Sequence, residues 1–326
     1  MKTRVRLSLI AALAAWGLAP LAAQAQGKYP ERPVRLLVPF TAGSSADITA
    51  RRFSARASPL FGQQFVPENR AGAAGNIAAV EVARAKPDGY TLLISGSSTH
   101  VITPLVNGNK AYDPMKDFTH IVILGLSNLV IAVHPSVART LPELIKLAKA
   151  KPGALSFGSN GIGGIQHLAG ELFKKQAGGL DIVHVPYKGG AQSLPDVISG
   201  QIPMFTPGFA SALPSHRSGK VRILAVLAGN RQSVAPEIPT ATEAGAPGVV
   251  ANSFYGISAP ADTPKSVIDQ FYQVANRVLS DEAFQKETID SGLEPHAKTS
   301  PERATQFIRD DITRWAPIVK ALNLKE

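Results

Sequence analysis

Short apolar runs alternate with helical periodicities along most of the chain. The run 34–40 is apolar and short, which is typical of a buried strand. Apolar side chains then recur at helical spacing over 46–60, with Ser45 as the expected N-cap and Asp47 in the first turn. The same succession of strand, Gly-rich loop and helix is repeated at 155–176.

The remaining segments continue this alternation. We expect further strands at 64–67, 90–94, 118–125, 129–133, 182–185, 221–227 and 254–259, with another beginning at Met204. We expect further helices at 72–85, 142–149, 191–198, 264–279, 281–291 and 301–322. Strands and helices alternating in this way predict βαβ units, parallel sheets and an α/β fold with two half-size lobes that face each other.

The first residues have the pattern of an export signal rather than of a folded segment. Lys2, Arg4 and Arg6 precede an apolar run that ends in the small-x-small motif Ala23-Gln24-Ala25. This pattern predicts a secretory signal peptide cleaved after Ala25, with an uncleaved membrane anchor as the alternative. We therefore expect a bacterial periplasmic protein that is soluble after cleavage.

The composition excludes several classes of site and partner. The 326 residues include no Cys, which excludes disulfides, Cys-bound zinc, iron–sulfur clusters and a Cys nucleophile. The formal charge is +10, of which the leader carries three cations and no acid, so +7 remains afterwards. The remaining Lys and Arg are spread through the helices instead of forming a stripe, and this distribution does not favour nucleic-acid binding.

Catalytic motifs are weak or absent in the sequence. There is no H-E-x-x-H, G-x-S-x-G or P-loop motif, and Gly161-x-Gly163 lacks the third Gly and the acidic partner of a dinucleotide site. His167 and Glu171 lie four residues apart and could share a metal, although two ligands alone are weak evidence. Ser97, Ser98 and His100 are neighbours, a common and usually idle combination.

Two Gly-rich loops remain as the best candidates for a binding site. The loops at 41–45 and 158–164 each lie between a strand and a helix N-terminus, where backbone N–H groups and the helix dipole favour a carboxylate or phosphate. The alternative is that both are ordinary tight βα turns. Their corresponding positions make the two interpretations about equally good on spacing alone.

The sequence resembles the Bug-type periplasmic solute-binding proteins of tripartite tricarboxylate transporters over nearly all of the chain after the leader. The stretches that carry the resemblance are 29–43, 68–75, 86–93, 157–164, 167–173, 184–189, 219–222, 237–240, 255–257 and 259–260. The resemblance implies a two-lobe Venus-flytrap fold, similar to type II periplasmic binding proteins, with the ligand cleft between the lobes. Lobe 1 would comprise 26–126 plus 251–326, and lobe 2, inserted, would comprise 127–250.

The resemblance also implies a ligand site. In the family, two loops hold the ligand carboxylate largely through backbone N–H groups and ordered water. Asp47 would orient its own loop, His167 would support the second one, and Ser97 and Ser98 would belong to a third loop that reaches the cleft. The implied site residues are Phe40, Thr41, Ala42, Gly43, Ser44, Ser45, Asp47, Ser97, Ser98, Ser159, Asn160, Gly161, Gly163, Gly164, His167, Tyr187, Pro207 and Phe209. No catalytic residue, metal or cofactor is implied.

Two departures from the family pattern bear on the ligand. Gly164 stands where the family loop usually has Ser, so one hydroxyl donor is lost. Pro207 stands at a position that is often acidic in amino-acid-binding members, so an ammonium group has no evident partner. We therefore expect a carboxylate without an α-amino group, with an apolar body lying against Phe209.

The expected function is capture of a small organic carboxylate by a monomer, which presents it to a membrane permease of a tripartite tricarboxylate transporter. No enzyme activity and no nucleic-acid partner are expected. Two alternatives remain open from the sequence: a ligand sensor for a membrane receptor, and a secreted hydrolase that uses Ser97 with His100, or His167.

Overall fold

The structure, a computed structural model, describes residues 29–108, 110–296 and 299–324. The expected leader and its cleavage after Ala25 lie outside the described residues. Residues Arg32–Glu326 form one compact unit. Within the described ranges, none of the helices combines the length and the apolar character needed to cross a bilayer.

Eleven strands and ten helices are described, and their bounds follow. The strands are β1 Val34–Val38, β2 Phe65–Asn69, β3 Thr91–Gly96, β4 Phe118–Asn128, β5 Val130–Val133, β6 Leu155–Ser159, β7 Ile182–Pro186, β8 Met204–Phe205, β9 Arg222–Val226, β10 Asn252–Pro260 and β11 Glu294–Pro295. The helices are α1 Ser45–Phe61, α2 Asn76–Ala83, α3 Thr103–Asn107, α4 Leu141–Ala150, α5 Ile165–Gln176, α6 Leu194–Ile198, α7 Phe209–Arg217, α8 Lys265–Leu279, α9 Glu282–Asp290 and α10 Pro301–Leu322.

The strands form two sheets, and each contains the same parallel unit. The first sheet has the order β11-β4-β10-β3-β1-β2, and the second has the order β7-β6-β8-β5-β9. In the first, β1 runs parallel to β2 and β3, and in the second β6 runs parallel to β7 and β8. The two Gly-rich loops follow β1 and β6, so each leaves the carboxyl end of the middle strand of a parallel unit, where α/β sheets bind ligands.

The α/β fold class is confirmed, but the expectation of parallel sheets is only half right. Strand β10 pairs antiparallel with β3 and β4, and β5 pairs antiparallel with β8 and β9. These antiparallel pairs arise from the path of the chain. The chain passes from β4 of the first sheet into the second sheet, and it returns to the first sheet at β10 after the second sheet has been completed. Local periodicity carries no information about that return.

Helix starts depend on single polar side chains and were predicted with mixed success. The N-cap of α1 is Ser44, not Ser45, because Ser44 Oγ accepts the N–H of Asp47 at 3.2 Å. Thr140 caps α4 as predicted, accepting the N–H of Glu143 at 3.3 Å. The helix expected from residue 72 begins only at Asn76, because the residues before it adopt left-handed backbone conformations.

Four elements were absent from the sequence prediction. A π-helical turn at Ser98–Ile102 continues into α3, although β-branched residues and His give this segment no helical signal. Helix α7 contains Pro214, a residue that is unfavourable in a helix interior. Strand β11 has two residues and pairs with β4, so only the tertiary structure defines it.

Aromatic packing fixes the position of α1 and therefore of the loop that precedes it. Phe53 and Phe61 of α1 contact Phe65 of β2, with ring centroids 5.6 and 5.0 Å apart. Phe271 of α8 stacks on Phe61 at 4.7 Å. Burial of each ring stabilises the fold by about 2–3 kcal/mol, so the N-terminus of α1 has a rigid base.

Candidate functional site

Loop A, defined as residues 40–47, connects β1 to α1 and is held by its own helix. Gly43 has a φ of +79°, a left-handed conformation that favours glycine. Its N–H donates to the carboxylate of Asp47 at 3.0 Å, across one helical turn. Ser44, Ser45 and Asp47 are all buried. The loop is thereby fixed before any ligand contacts it.

The Asp47 carboxylate supports loop A from behind. It also accepts hydrogen bonds from Asn69 Nδ2 and Arg51 Nε, each at 3.0 Å. Burial alone would raise its pKa, but the hydrogen bonds from Arg51, Gly43 and Asn69 outweigh that effect and lower it. With these donors in place, Asp47 is an orienter of the loop, and its charge is already balanced.

Loop B, defined as residues 159–164, connects β6 to α5 and folds on itself in the same way. Gly161 and Gly163 have φ values of +114° and +72°. The N–H of Gly161 donates to Ser159 Oγ at 3.1 Å, and the N–H of Gly164 donates to the Gly161 carbonyl at 3.1 Å. The N–H of Gly163 donates to Nδ1 of His167 at 3.2 Å.

A second histidine supports loop B from β7. The His184 ring stacks on that of His167 with centroids 3.9 Å apart, and its Nε2 lies 2.6 Å from Ser159 Oγ. Burial, with a smaller effect of the Lys174 charge, lowers the pKa of His167 to about 4. Burial, with smaller effects of His167 and Lys174, lowers the pKa of His184 to about 3. Both rings are therefore neutral at physiological pH.

Side chains from the segment that follows β3 join the two sheets at this site. Ser98 Oγ accepts hydrogen bonds from Asn160 Nδ2 at 3.0 Å and from the N–H of Ile165 at 3.1 Å. Thr103 Oγ1 donates to the carbonyl of Gly163 at 3.2 Å. Residues 98 and 103 follow the first sheet's β3, and their partners belong to loop B and α5.

Two buried polar atoms between the loops have no hydrogen-bond partner among the described residues. They are Thr41 Oγ1 in loop A and Oε1 of Gln166, in the first turn of α5. Both side chains lie against the glycine pair at 189–190. A Cβ added to Gly189 would lie 2.7 Å from Thr41 Oγ1, and one added to Gly190 would lie 2.4 Å from the Gln166 amide. Unpaired buried polar atoms are uncommon, and at a cleft they are available to a ligand.

An open depression of about 370 Å³ lies against loop B and the residues that precede Gly189. Its lining residues are Ala73, Gly161, Ile162, Pro186, Tyr187 and Lys188. The Tyr187 hydroxyl donates to Asp196 at 2.5 Å, so it is already engaged, whereas Lys188 is exposed. The depression therefore presents one cation among its lining residues.

The wall of this depression includes an unusual turn. Ala73 and Ala74 both have left-handed backbones, with φ values of 45° and 51°, between Gly72 and Gly75. Left-handed alanines carry a conformational cost and are concentrated at functional sites. A Cβ on Gly161 would lie 3.2 Å from the Ala74 nitrogen, so loop B and this turn touch closely. The two glycines that flank this turn are its one signal in the sequence.

Several predicted site residues turn out to support other parts of the fold. Ser97 Oγ accepts the N–H of Phe254 at 3.1 Å and donates to Asp311 at 3.3 Å, so its hydroxyl is engaged outside the cleft. His100 is fully buried, and its Nδ1 lies 3.0 Å from Thr99 Oγ1. Among the described residues, Ser97 and His100 therefore do not form the nucleophile–base pair that the hydrolase alternative requires.

Phe209 lies in the core rather than along a cleft wall. Its ring is fully buried, and a Cβ on Gly292 would lie 2.5 Å from its Cδ1. The expectation that a ligand lies against this ring is therefore not supported by its packing. The carbonyl of neighbouring Pro207 accepts the N–H of Val130 at 3.0 Å, which ties α7 to the second sheet.

The glycine at position 164 has a steric reason. A Cβ there would lie 2.4 Å from Oδ1 of Asn160, the oxygen that accepts the N–H of Gln166 at 3.3 Å. The glycine therefore makes room for the Asn160 side chain, whose amide also reaches Ser98. The side-chain amide of Asn160 therefore occupies the space that a side chain at position 164 would take.

The geometry also accounts for His167 and Glu171, the pair that could share a metal. His167 Nε2 lies 3.9 Å from Glu171 Oε1, which is beyond hydrogen-bond distance, and the same oxygen accepts from Lys174 at 2.8 Å. Within the described residues, no group of three His, Asp or Glu side chains is arranged to hold a metal ion.

Residues 166, 189 and 190 were missed as site candidates. Gln166 is a polar residue directly after a Gly-rich loop, in the first turn of a helix, and that position is a usable signal. The two glycines allow close approach of backbone to side chain, but their partners Thr41 and Gln166 lie 148 and 24 residues away in sequence. Only the folded chain brings the four together.

Comparison with known proteins agrees with this architecture. The family model described as "Tripartite tricarboxylate transporter family receptor" matches residues 49–324. Protein BugT of Bordetella pertussis is 33% identical over 299 residues, covering 91% of each chain. An R. palustris protein solved with adipate is 33% identical, with a TM-score of 0.87, over 91% of this chain and 99% of that one. MatC from Rhodopseudomonas palustris with bound malate is 28% identical, with a TM-score of 0.84, over 89% and 100%.

Proposed function

This chain belongs to the tripartite tricarboxylate transporter family of receptors, and from that premise we propose that it captures a small organic carboxylate in the periplasm. The ligand would lie between loop A and loop B, beside the glycine pair at 189–190. The protein would then present this ligand to a membrane permease of the same transporter type. Solved relatives with adipate and with malate support a carboxylate ligand.

The observation that carries the proposal is the pair of unpartnered polar groups on Thr41 and Gln166. The Thr41 hydroxyl can donate to a carboxylate oxygen, whereas Gln166 Oε1 is an acceptor and would pair with a hydroxyl or a protonated carboxyl group of the ligand. The N-termini of α1 and α5, which follow loops A and B, add the positive end of a helix dipole on each side. Neutral donors of this kind orient an anion without leaving an unpaired charge when the ligand departs.

We further propose that the ligand lacks an α-amino group. An ammonium needs a carboxylate or several carbonyl oxygens. The acid in loop A, Asp47, already receives hydrogen bonds from Arg51, Asn69 and Gly43. The acid beside the open depression, Asp196, accepts from the Tyr187 hydroxyl. The uncharged Pro207 agrees with this assignment, and adipate and malate both lack an amino group.

A ligand panel tests the proposal directly. Thermal unfolding and calorimetric titration would be run with adipate, malate, succinate and citrate, and with glutamate and aspartate as amino-acid controls. A ligand at 100 times its Kd adds about 2.7 kcal/mol to the free energy of unfolding. We expect at least one of the first four to bind and both amino acids to fail. Binding of glutamate or aspartate would contradict the proposal that the ligand lacks an α-amino group. Failure of every carboxylate to bind would contradict the proposal that the protein captures a carboxylate.

We also infer the boundaries of the two lobes and a monomeric state. We infer that lobe 1 comprises 26–126 plus 251–326 and that lobe 2 comprises 127–250, because the chain leaves the first sheet at the end of β4, two residues beyond the first boundary, and returns to it at β10. A ligand that contacts both lobes would stabilise the closed arrangement. Sedimentation with and without ligand should show a monomer that becomes more compact, and a dimer would contradict the proposed state.

A further inference from the structure

Two stacked histidines hold both ends of loop B. At the end of the loop, Nδ1 of His167 accepts the N–H of Gly163 at 3.2 Å. At its beginning, Nε2 of His184 lies 2.6 Å from Ser159 Oγ, the same oxygen that accepts the N–H of Gly161 at 3.1 Å. The conformation of the loop is therefore tied to the two imidazole rings.

The hydrogen bond to Gly163 requires a neutral ring. A ring nitrogen that accepts an N–H carries no proton, so the proton of His167 is on Nε2. A protonated imidazole is a donor at both nitrogens, and its Nδ1 could not accept from Gly163. Protonation of both rings would also place two positive charges face to face, because the centroids of His167 and His184 are only 3.9 Å apart.

The acid that faces the pair is already engaged by a lysine. Glu171, on the same helix, lies 3.9 Å from His167 Nε2, and its Oε1 already accepts from Lys174. Lys174 itself repels a proton from both rings. Phe157 of β6 packs against them, with its centroid 4.9 Å from that of His184 and 6.4 Å from that of His167. An added proton would therefore be repelled by the Lys174 ammonium and would charge a ring that is largely buried.

We propose that His167 and His184 are positioning residues that keep loop B in its ligand-binding conformation only while both rings are neutral, so that acid releases the loop and its ligand. The part of this proposal that concerns the ligand rests on the proposed function. The part that concerns the loop does not, because it is a statement about the ligand-free protein.

The direction of the effect follows from the pKa values. In the folded protein burial lowers the pKa of His167 to about 4 and that of His184 to about 3, against an ordinary value of 6.5. The unfolded chain therefore binds more protons than the folded one between these limits. The contribution of the pair to stability is complete above pH 6.5 and is lost as the pH falls towards about 4 and below.

The first experiment follows the backbone amide of Gly163 by NMR in the ligand-free protein, from pH 7.5 to 3.5. We expect its chemical shift and its hydrogen-exchange rate to change together, with a midpoint near 4. In His167→Asn, the Asn Oδ1 takes the place of Nδ1 as acceptor and cannot titrate, so the amide should stay constant. His184→Gln keeps an amide nitrogen near the Nε2 position. The same pH titration of the Gly163 amide in this variant serves as the second test if His167→Asn does not fold.

A matched control uses a third histidine with the same chemistry elsewhere. His216 Nδ1 accepts the N–H of Ile223 at 3.2 Å, and burial lowers the pKa of this side chain too. His216→Asn should leave the Gly163 profile unchanged. The proposal is overturned if the His167→Asn amide titrates like that of the wild type, or if the His167 ring takes up its proton while Gly163 does not respond.

The second experiment measures adipate binding over the same pH range. Loss of one essential neutral group weakens wild-type binding about tenfold for each pH unit below the midpoint. His167→Asn should show only the loss caused by protonation of adipate itself, and an equal loss in both proteins would contradict the link to the ligand. If neither protein binds any carboxylate at pH 7.5, the proposed function fails, and the NMR experiment still decides the role of the pair.

Discussion

The side-chain amide of Asn160 donates to Ser98 Oγ at 3.0 Å, and this contact joins a loop of the second sheet to the segment that follows β3 of the first. The same oxygen accepts the N–H of Ile165 at 3.1 Å. All three groups are buried or nearly so. One hydroxyl is thus the acceptor for two donors of loop B and α5.

Replacement of Ser98 by Ala should weaken both the fold and ligand binding. It leaves the amide of Asn160 and the N–H of Ile165 without their acceptor, and each buried unsatisfied donor costs about 1–3 kcal/mol. We expect the free energy of unfolding in urea to fall by about 2 kcal/mol or more, and the ligand Kd to rise.

Ser97 offers the matched control for this change. Its hydroxyl is equally buried, but its partners are Asp311 and the N–H of Phe254, away from loop B. Ser97→Ala should therefore lower stability while leaving the Kd close to that of the wild type. An equal rise in Kd in the two variants would show that the Ser98 contact has no special relation to the site.

Thr41→Val should lower ligand affinity without lowering stability. Thr41 Oγ1 is buried and has no partner among the described residues, so the folded protein loses no hydrogen bond when a methyl group replaces the hydroxyl. A ligand that uses this hydroxyl loses about 1 kcal/mol, or a factor of about 5 in Kd. Thr41→Ser keeps the hydroxyl and should bind like the wild type. A Val variant with unchanged calorimetric affinity would remove Thr41 from the site.

Gly189→Ala should block the close approach of residue 189 to loop A. The backbone at 189 is extended, so Ala can adopt it, but the new methyl group would lie 2.7 Å from Thr41 Oγ1 and 3.1 Å from the Thr41 nitrogen. We expect a loss of affinity of tenfold or more by calorimetry, and a small change in melting temperature. Gly229→Ala is the control, because a Cβ there has no atom within 4 Å. The steric account is wrong if both variants bind equally well.

Asp47→Asn should destabilise the protein at neutral pH and not in acid. In the folded state burial raises the pKa of Asp47, but hydrogen bonds from Arg51, Gly43 and Asn69 outweigh it, and the net pKa lies below the ordinary 3.8. The stabilisation is therefore present above that value and is lost as the pH falls through the folded pKa. We expect Asp47→Asn to lower the free energy of unfolding by about 1–3 kcal/mol at pH 7.

The difference between Asp47→Asn and the wild type should close as urea unfolding is repeated towards pH 3. Asp269 provides the comparison, since its ion pair with Lys265 lies on an exposed helix face. Asp269→Asn should change stability by less than about 0.5 kcal/mol at either pH. A difference for Asp47→Asn that persists unchanged in acid would contradict the role given to its charge.

Many helices and strands were predictable because their signals are local. The periodicity at 301–322 and the cap at Thr140 reproduce α10 and the start of α4 closely. The left-handed turn at Ala73–Ala74 was not predictable, since alanine favours a helix and only the surrounding structure holds it in this conformation. Helix α7, with Pro214 inside it, was missed for a similar reason.

The same division applies to the site. The sequence by itself determined the two Gly-rich loops and their places at the ends of β1 and β6, because these depend on neighbours within a few residues. The same holds for Asp47 and His167, each of which accepts a loop N–H from a glycine four residues away. Only the tertiary structure decided that Thr41 lies beside Gly189, that Ser98 accepts from Asn160, that His184 stacks on His167, and that Phe209 belongs to the core. The physical reason is that these contacts depend on how the two sheets and their loops pack in space, and the local pattern of polar and apolar residues does not encode that arrangement.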